Sequence, residues 1–274
     1  MTERRNSYRM IETFNIFANY DDVSVRIAEE VTAKMESAGA RYSGDEKKSD
    51  LIFCIGGDGA LLRLLRQYDF PEAPIVGINT GHLGFFQEIT MDGIDEFIRM
   101  LKNGDYHIQE NSALSAEICT EGGVKHITAI NEIVIRGEGE RLMHLDMNIG
   151  DNYISRFSGD GILICTPAGS TAYNYSLGGV IVDPEVDMLQ ITPMAPVNNS
   201  AYRSFTSGII VPTNKTIEIL PAKDEDRFVV VIEDGRIVSR DDVKKVTVRV
   251  AERKAKIVRF SNYNFWGKVK DKIL

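Results

Sequence analysis

The chain has 274 residues, 43% hydrophobic and 26% charged, which suits a folded protein of one or two domains. A net charge of −8 and a pI near 5.2 argue against a general nucleic-acid binder, while local basic sites for a small phosphorylated ligand remain compatible. No apolar run approaches the roughly 18 residues of a membrane span, and the polar start, residues 1–10, lacks the apolar core of a signal peptide.

In chain order, Thr13–Ala18 predicts a first strand. Asp21 or Asp22 caps a helix that carries Ile27, Val31 and Met35 on one face and ends near Gly39. Leu51–Ile55 is a continuous apolar run, the pattern of a buried strand in a parallel sheet. Gly56, Gly57, Asp58 and Gly59 follow at once, and Leu61, Leu62, Leu64 and Leu65 then give helical spacing. A strand, a glycine turn and a helix collect free backbone N–H groups at the positive end of the helix dipole, where an anion binds. The glycines permit unusual backbone angles and close approach of a ligand. A carboxylate there would repel phosphate, so Asp58 makes chemical sense if it holds Mg²⁺ or takes a proton from a hydroxyl being phosphorylated. The plain alternative is a tight turn in an α/β domain. No Lys-Ser/Thr pair follows the last glycine, which excludes a P-loop, and the pattern is not GxGxxG.

Pro74 precedes a third strand, Ile75–Ile78, and residues 77–85 (GINTGHLGF) repeat the strand-then-glycine pattern at the carboxyl edge of the same sheet. Leu83 and Phe85 read there as core plugs. Asp92–Asn103 predicts a helix with Ile94, Phe97, Ile98 and Leu101 on one face, closed by Gly104. Strands alternating with helices imply βαβ units.

After about residue 105 the pattern changes. Segments 113–119, 124–136, 143–149, 152–157, 160–165, 209–211, 216–220, 227–233, 236–239, 245–251 and 255–260 read as strands separated by turns, an antiparallel sandwich. Gly169–Leu177 is the exception, a helix set among strands and capped by Ser170 or Thr171, and residues 264–274 predict a last helix. Asn131 and Glu132 interrupt an apolar β run, and a carboxylate buried there needs a partner, either an Arg or a ribose diol. Ser158–Gly179 packs a carboxylate (Asp160), hydroxyls, small residues and an aromatic (Tyr173) into one short stretch, which is what a nucleotide pocket requires. Cys54, Cys119 and Cys165 lie far apart in apolar segments and read as buried, reduced thiols of a cytoplasmic protein. The four histidines show no metal-ligand spacing.

GGDG at 56–59, NTGHLGF at 79–85, NE at 131–132 and GDG…TPAGSTAYNYSLGG at 159–179 occur together, and through them the chain resembles the bacterial NAD kinases over nearly its whole length. The resemblance implies a Rossmann-like α/β domain over 1–104, a β-sandwich-type dinucleotide-binding domain over 105–252, a tail over 253–274 that packs on the first domain, and a site in the cleft between the domains. It implies transfer of the γ-phosphate of ATP (polyphosphate in some members) to the adenosine-ribose 2′-hydroxyl of NAD, giving NADP. A divalent cation, Mg²⁺ or Mn²⁺, is expected on the ATP phosphates without a protein cage, in a cytoplasmic homodimer or homotetramer that engages neither nucleic acid nor membrane. A lipid or other small-alcohol kinase sharing GGDG is the alternative.

Position by position, the resemblance makes Asp58 the catalytic base, with Gly56, Gly57 and Gly59 completing the phosphate loop and Arg63 a phosphate contact. Phe85 joins the substrate-binding set. Asn131 and Glu132 match contacts to adenosine, and Asp160 a carboxylate near the nicotinamide side. Thr171, Ala172, Tyr173, Asn174, Tyr175 and Ser176 line the dinucleotide, Tyr173 by stacking, and Ala195 and Gly235 are further lining positions. Ser158 stands where a basic residue is usual, on the strand face expected to carry Asp160, so weaker dinucleotide binding is expected.

Overall fold

The computed structural model describes residues 11–81, 84–139, 142–222, 229–240 and 242–274. His82, Leu83 and the first two residues of the expected 227–233 strand lie outside them. The chain forms two compact units, the first built from residues up to Asn111 together with Lys254–Leu274, the second from Ser112–Arg253. Both crossings fall inside strands, at 111/112 and 253/254, where the expected domain boundaries are 104/105 and 252/253.

The first unit opens with β1 (Thr13–Ala18), α1 (Asp22–Ser37), the short β2 (Arg41–Tyr42), β3 (Leu51–Ile55), α2 (Asp58–Gln67), β4 (Ile75–Ile78), β5 (Gln87–Ile89) and α3 (Ile94–Asn103). Asp21 caps α1 by accepting from the Ser24 amide at 2.9 Å, and Gly104 closes α3 in the left-handed conformation. β2–β1–β3–β4–β5 pair in parallel. All five residues of β3 are buried, as expected for a central parallel strand covered on both faces. Phe14, Phe53, Phe97, Val76 and Ile78 form the core against Ile27, Val31 and Met35 of α1.

The chain then runs through β6 (Tyr106–Thr120), β7 (Gly123–Ala129), β8 (Glu132–Gly137), β9 (Met143–Ile149), β10 (Asn152–Gly159), β11 (Gly161–Cys165), α4 (Tyr173–Ser176), β12 (Leu189–Met194), β13 (Ile209–Val211), β14 (Ile217–Pro221), β15 (Val229–Glu233), β16 (Arg236–Ser239) and β17 (Val243–Phe260). In the second unit a six-stranded antiparallel sheet, β13–β12–β11–β8–β15–β16, faces a sheet that contains β10–β9–β14–β17. Alternate residues such as Leu145 and Met147, Ile217 and Ile219, and Val246 and Val248 fill the layer between them.

Three expectations need correction. β12 is absent from the expected strands, and its Pro193 is tolerated because β13 pairs only with Leu189–Ile191 and Pro193 lies past its end. The segments 245–251 and 255–260 form one strand, with Glu252, Arg253 and Lys254 continuing it through exposed positions. The helix expected over 169–177 breaks at Ala172 (ψ −135°) into a 3₁₀ turn, Ala168–Thr171, and the four residues of α4. Ser170 does not cap it; its hydroxyl exchanges hydrogen bonds with the backbone of Val182.

The end of β17 returns to the first unit, where Ile257 pairs in parallel with Ile75, and α5 (Phe265–Lys272) follows, capped by the Asn264 side chain on the Gly267 amide. No described helix is long and apolar enough to cross a membrane.

Candidate functional site

In the first unit the functional side chains gather where β3 meets α2. Gly56 leaves the strand at φ +143°, and an added Cβ would stand 2.7 Å from the Ala60 Cβ, so only glycine fits. Asp58 is the first residue of α2 and is half-buried. Its carboxylate accepts the Phe85 amide at 2.9 Å on one oxygen and the Phe86 amide at 3.1 Å on the other. Gly84 lies flat against it: a Cβ there would come within 1.9 Å of Asp58 Oδ1 and 2.4 Å of Gln87 Oε1. The carboxylate is therefore pinned from one side, and each oxygen keeps lone-pair capacity for a substrate. Gly59 is exposed, and Arg63, one turn on, is exposed with its guanidinium on the Asn19 side-chain oxygen. Arg63 borders the end of β1, where a groove of about 950 Å³ runs between α1 and α2, walled by Phe17, Tyr42 and Tyr68.

Behind that loop stands a polar cluster with no counterpart in the sequence reading. Arg259 is buried and donates to Gln109 Oε1 (2.8 Å), Glu88 Oε2 (2.9 Å) and the carbonyls of Phe85 and Phe86 (3.2 Å each). Lys268 of α5 donates to the Gln87 carbonyl at 2.5 Å and the Phe85 carbonyl at 3.4 Å, and lies 3.6 Å from Glu88. Burial, and next the Arg259 charge, pull its ammonium down to about 8, against the opposing pull of Glu88 and Asp58. The Gln87 side-chain amide is fully buried with neither its nitrogen nor its oxygen paired among the described residues. Phe85 packs on Phe265 of α5, ring centroids 6.0 Å apart.

In the second unit the expected residues fall into two groups. The first surrounds the start of β8. Asp234, at φ +44° in the β15–β16 turn, accepts the amides of Ile130 (3.0 Å), Asn131 (2.8 Å) and Glu132 (3.1 Å). Thr166 Oγ1 donates to the Ile130 carbonyl at 2.6 Å, and its own amide donates to Asn131 O at 3.0 Å. Gly169 is pressed on Asn131, where a Cβ would lie 2.1 Å from the carbonyl oxygen. The result is a braced strand entry, with Asn131 Oδ1 and Glu132 Oε2 buried and without a partner among the described residues. Burial foremost, with the Asp234 charge, lifts the Glu132 carboxyl to about 8, and the Tyr173 amide opposes this. Asp234 itself is raised to about 6 by burial, opposed by its three amides.

Thr171 and Ala172 are half-buried, and Tyr173, Tyr175 and Ser176 are exposed, Tyr173 at 43%. Gly235 is exposed beside Asp234. Asn174 is fully buried, donating to the carbonyls of Ser170 and Val180 and accepting from Thr192 Oγ1 at 2.6 Å. Its side chain is committed to holding the 170–180 loop.

The second group sits at the other end of β11. Asp160 is exposed, its amide bonded to the Met194 carbonyl, next to the exposed Ala195 at φ +43°. The five residues of β11 separate it from Thr166, roughly 17–20 Å at strand rise. Ser158 does not share the open side of Asp160, because β10 ends at Gly159. It is 2% exposed, its hydroxyl 2.8 Å from His144 Nδ1 and its amide on Ser204 Oγ at 2.8 Å.

Sequence reasoning missed Asp234, Gln87, Arg259 and Lys268. Asp234-Gly235 is an ordinary turn dipeptide, and its carboxylate reaches backbone a hundred residues away. The two cations are scattered basic residues whose targets are carbonyls.

Comparison with known proteins follows the same two units. The ATP-NAD kinase N-terminal domain family matches residues 17–106 and the ATP-NAD kinase C-terminal domain family matches residues 130–260. The chain is 38% identical over 265 residues to an NAD kinase of Finegoldia magna, covering 95% of this chain and 97% of that one. It is 31% identical over 265 residues to an NAD kinase of Geobacillus stearothermophilus (95% and 96%) and 35% identical over 260 to one of Streptococcus gordonii (93% and 93%). Among solved structures, a yeast NADH kinase complexed with NADH superposes at a TM-score of 0.81 with 19% identity, covering 96% of this chain and 87% of that one. An Archaeoglobus fulgidus NAD kinase in complex with ATP superposes at 0.74 with 23% identity, covering 95% and 98%.

Proposed function

The chain belongs to the ATP-NAD kinase family and phosphorylates NAD to NADP with ATP as donor, and from that premise we propose that Asp58 is the base that takes the proton of the adenosine-ribose 2′-hydroxyl. The observation that carries this role is the fixed carboxylate: two amides and Gly84 hold one side of Asp58 at the mouth of α2. A held carboxylate meets an incoming hydroxyl without first reorganising, which is how general-base positioning contributes to rate. The amides of the Gly56–Gly59 turn and the dipole of α2 stabilise the phosphoryl oxygens, with Arg63 as counter-charge.

The start of β8 reads the adenosine. Asn131 and Glu132 present buried acceptors that lack partners among the described residues, and such atoms cost about 1–3 kcal/mol each unless a ligand supplies a donor. Carrying its proton at neutral pH, Glu132 also has a donor to give. Tyr173 supplies an exposed ring for stacking, with Thr171, Ala172, Tyr175, Ser176 and Gly235 around it. The Asp160–Ala195 group lies a full strand length from these residues, so one dinucleotide would lie extended along β11, or two copies of the chain would each give one group. The homo-oligomer expected from the resemblance fits the second arrangement, and the cytoplasm remains the expected compartment.

Among the described residues no three His, Cys, Asp or Glu side chains cluster as a metal cage. Magnesium keeps waters and is commonly held through substrate phosphates, a mode that needs no such cage. A divalent cation would sit on the ATP phosphates and would supply charge neutralisation there.

The test is incubation with NAD and ATP, or polyphosphate, followed by an NADP-specific coupled assay and phosphorus NMR of the product. Phosphate on the adenosine 2′-hydroxyl is expected. A 3′-phosphate or a nicotinamide-ribose phosphate would overturn the assigned pose, and a phosphorylated diacylglycerol with no NADP would favour the lipid-kinase alternative.

A further inference from the structure

We propose that Lys268 and Arg259, brought by the C-terminal segment, are positioning residues for Asp58 that act through the peptides of Phe85, Phe86 and Gln87. The inference rests on the assignment of Asp58 as base.

The geometry forms a relay of two links. The peptide joining Phe85 to Phe86 offers its carbonyl to Arg259 at 3.2 Å and to Lys268 at 3.4 Å, and its N–H to Asp58 Oδ1 at 3.1 Å. One planar unit therefore carries two cations on one edge and the carboxylate on the other. A cation on the carbonyl polarises the peptide and strengthens the N–H as a donor. The next carbonyl, Phe86, also accepts from Arg259, and the one after it, Gln87, accepts from Lys268. The loop cannot rotate its amides away from Asp58 without breaking several charge-assisted bonds.

The chemistry chosen for this contact argues that it does more than fasten the tail. Both cations are nearly enclosed, with side chains 3% exposed for Arg259 and 13% for Lys268, and the two share one buried carboxylate, Glu88. Buried ion pairs of this sort are often no better for stability than apolar residues of the same volume. Apolar fastening is already present, since Phe265 and Val269 of α5 are buried and Phe265 packs on Phe85. The Tyr263 ring lies 4.1 Å from the Arg259 guanidinium carbon and 5.1 Å from the Lys268 ammonium, a cation–π contact with each. An ammonium and a guanidinium aimed at three successive carbonyls give directionality that hydrophobic packing does not.

Lys268→Met keeps the length of the side chain and removes the charge. We expect it to fold, to keep the NAD Michaelis constant within about twofold, and to lose about 10- to 100-fold in kcat, the scale of a small misplacement of a catalytic group. Lys268→Arg retains a cation and is expected to recover most of the loss. Hydrogen exchange at the Phe85 and Phe86 amides should quicken in the methionine variant while β3 stays protected. If Lys268→Met does not purify as a folded protein, Lys268→Gln is read by the same split. Wild-type kcat in the charge-free variant, or a loss confined to the Michaelis constant, would overturn the proposal. Asp58→Asn is run beside it: an active Asp58→Asn enzyme contradicts the base assignment, whereas an inactive one beside a fully active Lys268 variant contradicts only the positioning.

Discussion

Asp58 and Asp234 are both held by backbone amides, and in the proposed roles they serve opposite ends. Asp58 accepts two amides from residues 27 and 28 positions away and keeps its other side for a substrate. Asp234 accepts three, from Ile130, Asn131 and Glu132, so that its neighbours are the groups on display. The first is, in the proposed role, a carboxylate fixed for chemistry, half-buried at a helix N-terminus. The second is a brace for recognition, in surroundings dry enough to raise Glu132 to about 8. A glycine closes each device, Gly84 on Asp58 and Gly169 on Asn131. In the proposed roles one backbone motif serves rate in one unit and affinity in the other, and mutations should separate the two.

The widest separation is expected from Asp58→Asn, which keeps the size and loses the base. Turnover should fall roughly 10²- to 10⁴-fold while dinucleotide affinity holds. Gly84→Ala comes next. Its methyl would enter the Asp58 carboxylate, so Asp58 must move, and kcat should drop about 100-fold. The matched Gly169→Ala pushes on Asn131 and should appear in the NAD Michaelis constant and the melting temperature.

The sequence makes one half of this contrast far more legible than the other. Gly-Gly-Asp-Gly behind a five-residue apolar strand announces itself, because strand, turn and helix are local and each has a compositional mark. Asp234 carries no such mark: its role comes from sheet pairing that sets the β15–β16 turn beside the start of β8. Ser158 was placed with Asp160 by strand alternation, and alternation failed because the strand stops between them. Asn174 belongs to the segment that the resemblance makes a dinucleotide lining, yet it sits at 0% exposure with its amide engaged in the loop. Burial of a polar side chain depends on which sheet face the loop covers, and composition does not record that.

Asp234→Asn tests the brace without disturbing the backbone, since asparagine tolerates the positive φ. It replaces one acceptor oxygen by an amino group facing N–H donors. The NAD Michaelis constant should rise about 10-fold, a loss of about 1.4 kcal/mol within the cost of a single unsatisfied buried group, with kcat changed far less. The remaining effect is a pH dependence of stability. Glu132 titrates at 4.5 in a free chain and about 8 in the fold, so between those values the folded state holds a proton that the unfolded state has released. Its contribution to stability therefore falls as pH rises through that window and levels off above about 8. Glu132→Gln removes the titration, and its melting temperature should gain on wild type progressively from pH 6 to about pH 8 and not beyond. A difference independent of pH would show that Glu132 is solvated.

The most direct test of the division between the two carboxylates is one calorimetric titration of NAD into Asp58→Asn, on the same preparation whose turnover with ATP is measured. The division predicts a dissociation constant within about twofold of wild type together with turnover lowered at least about 100-fold. Turnover near wild type, or affinity falling in proportion to turnover, would contradict it.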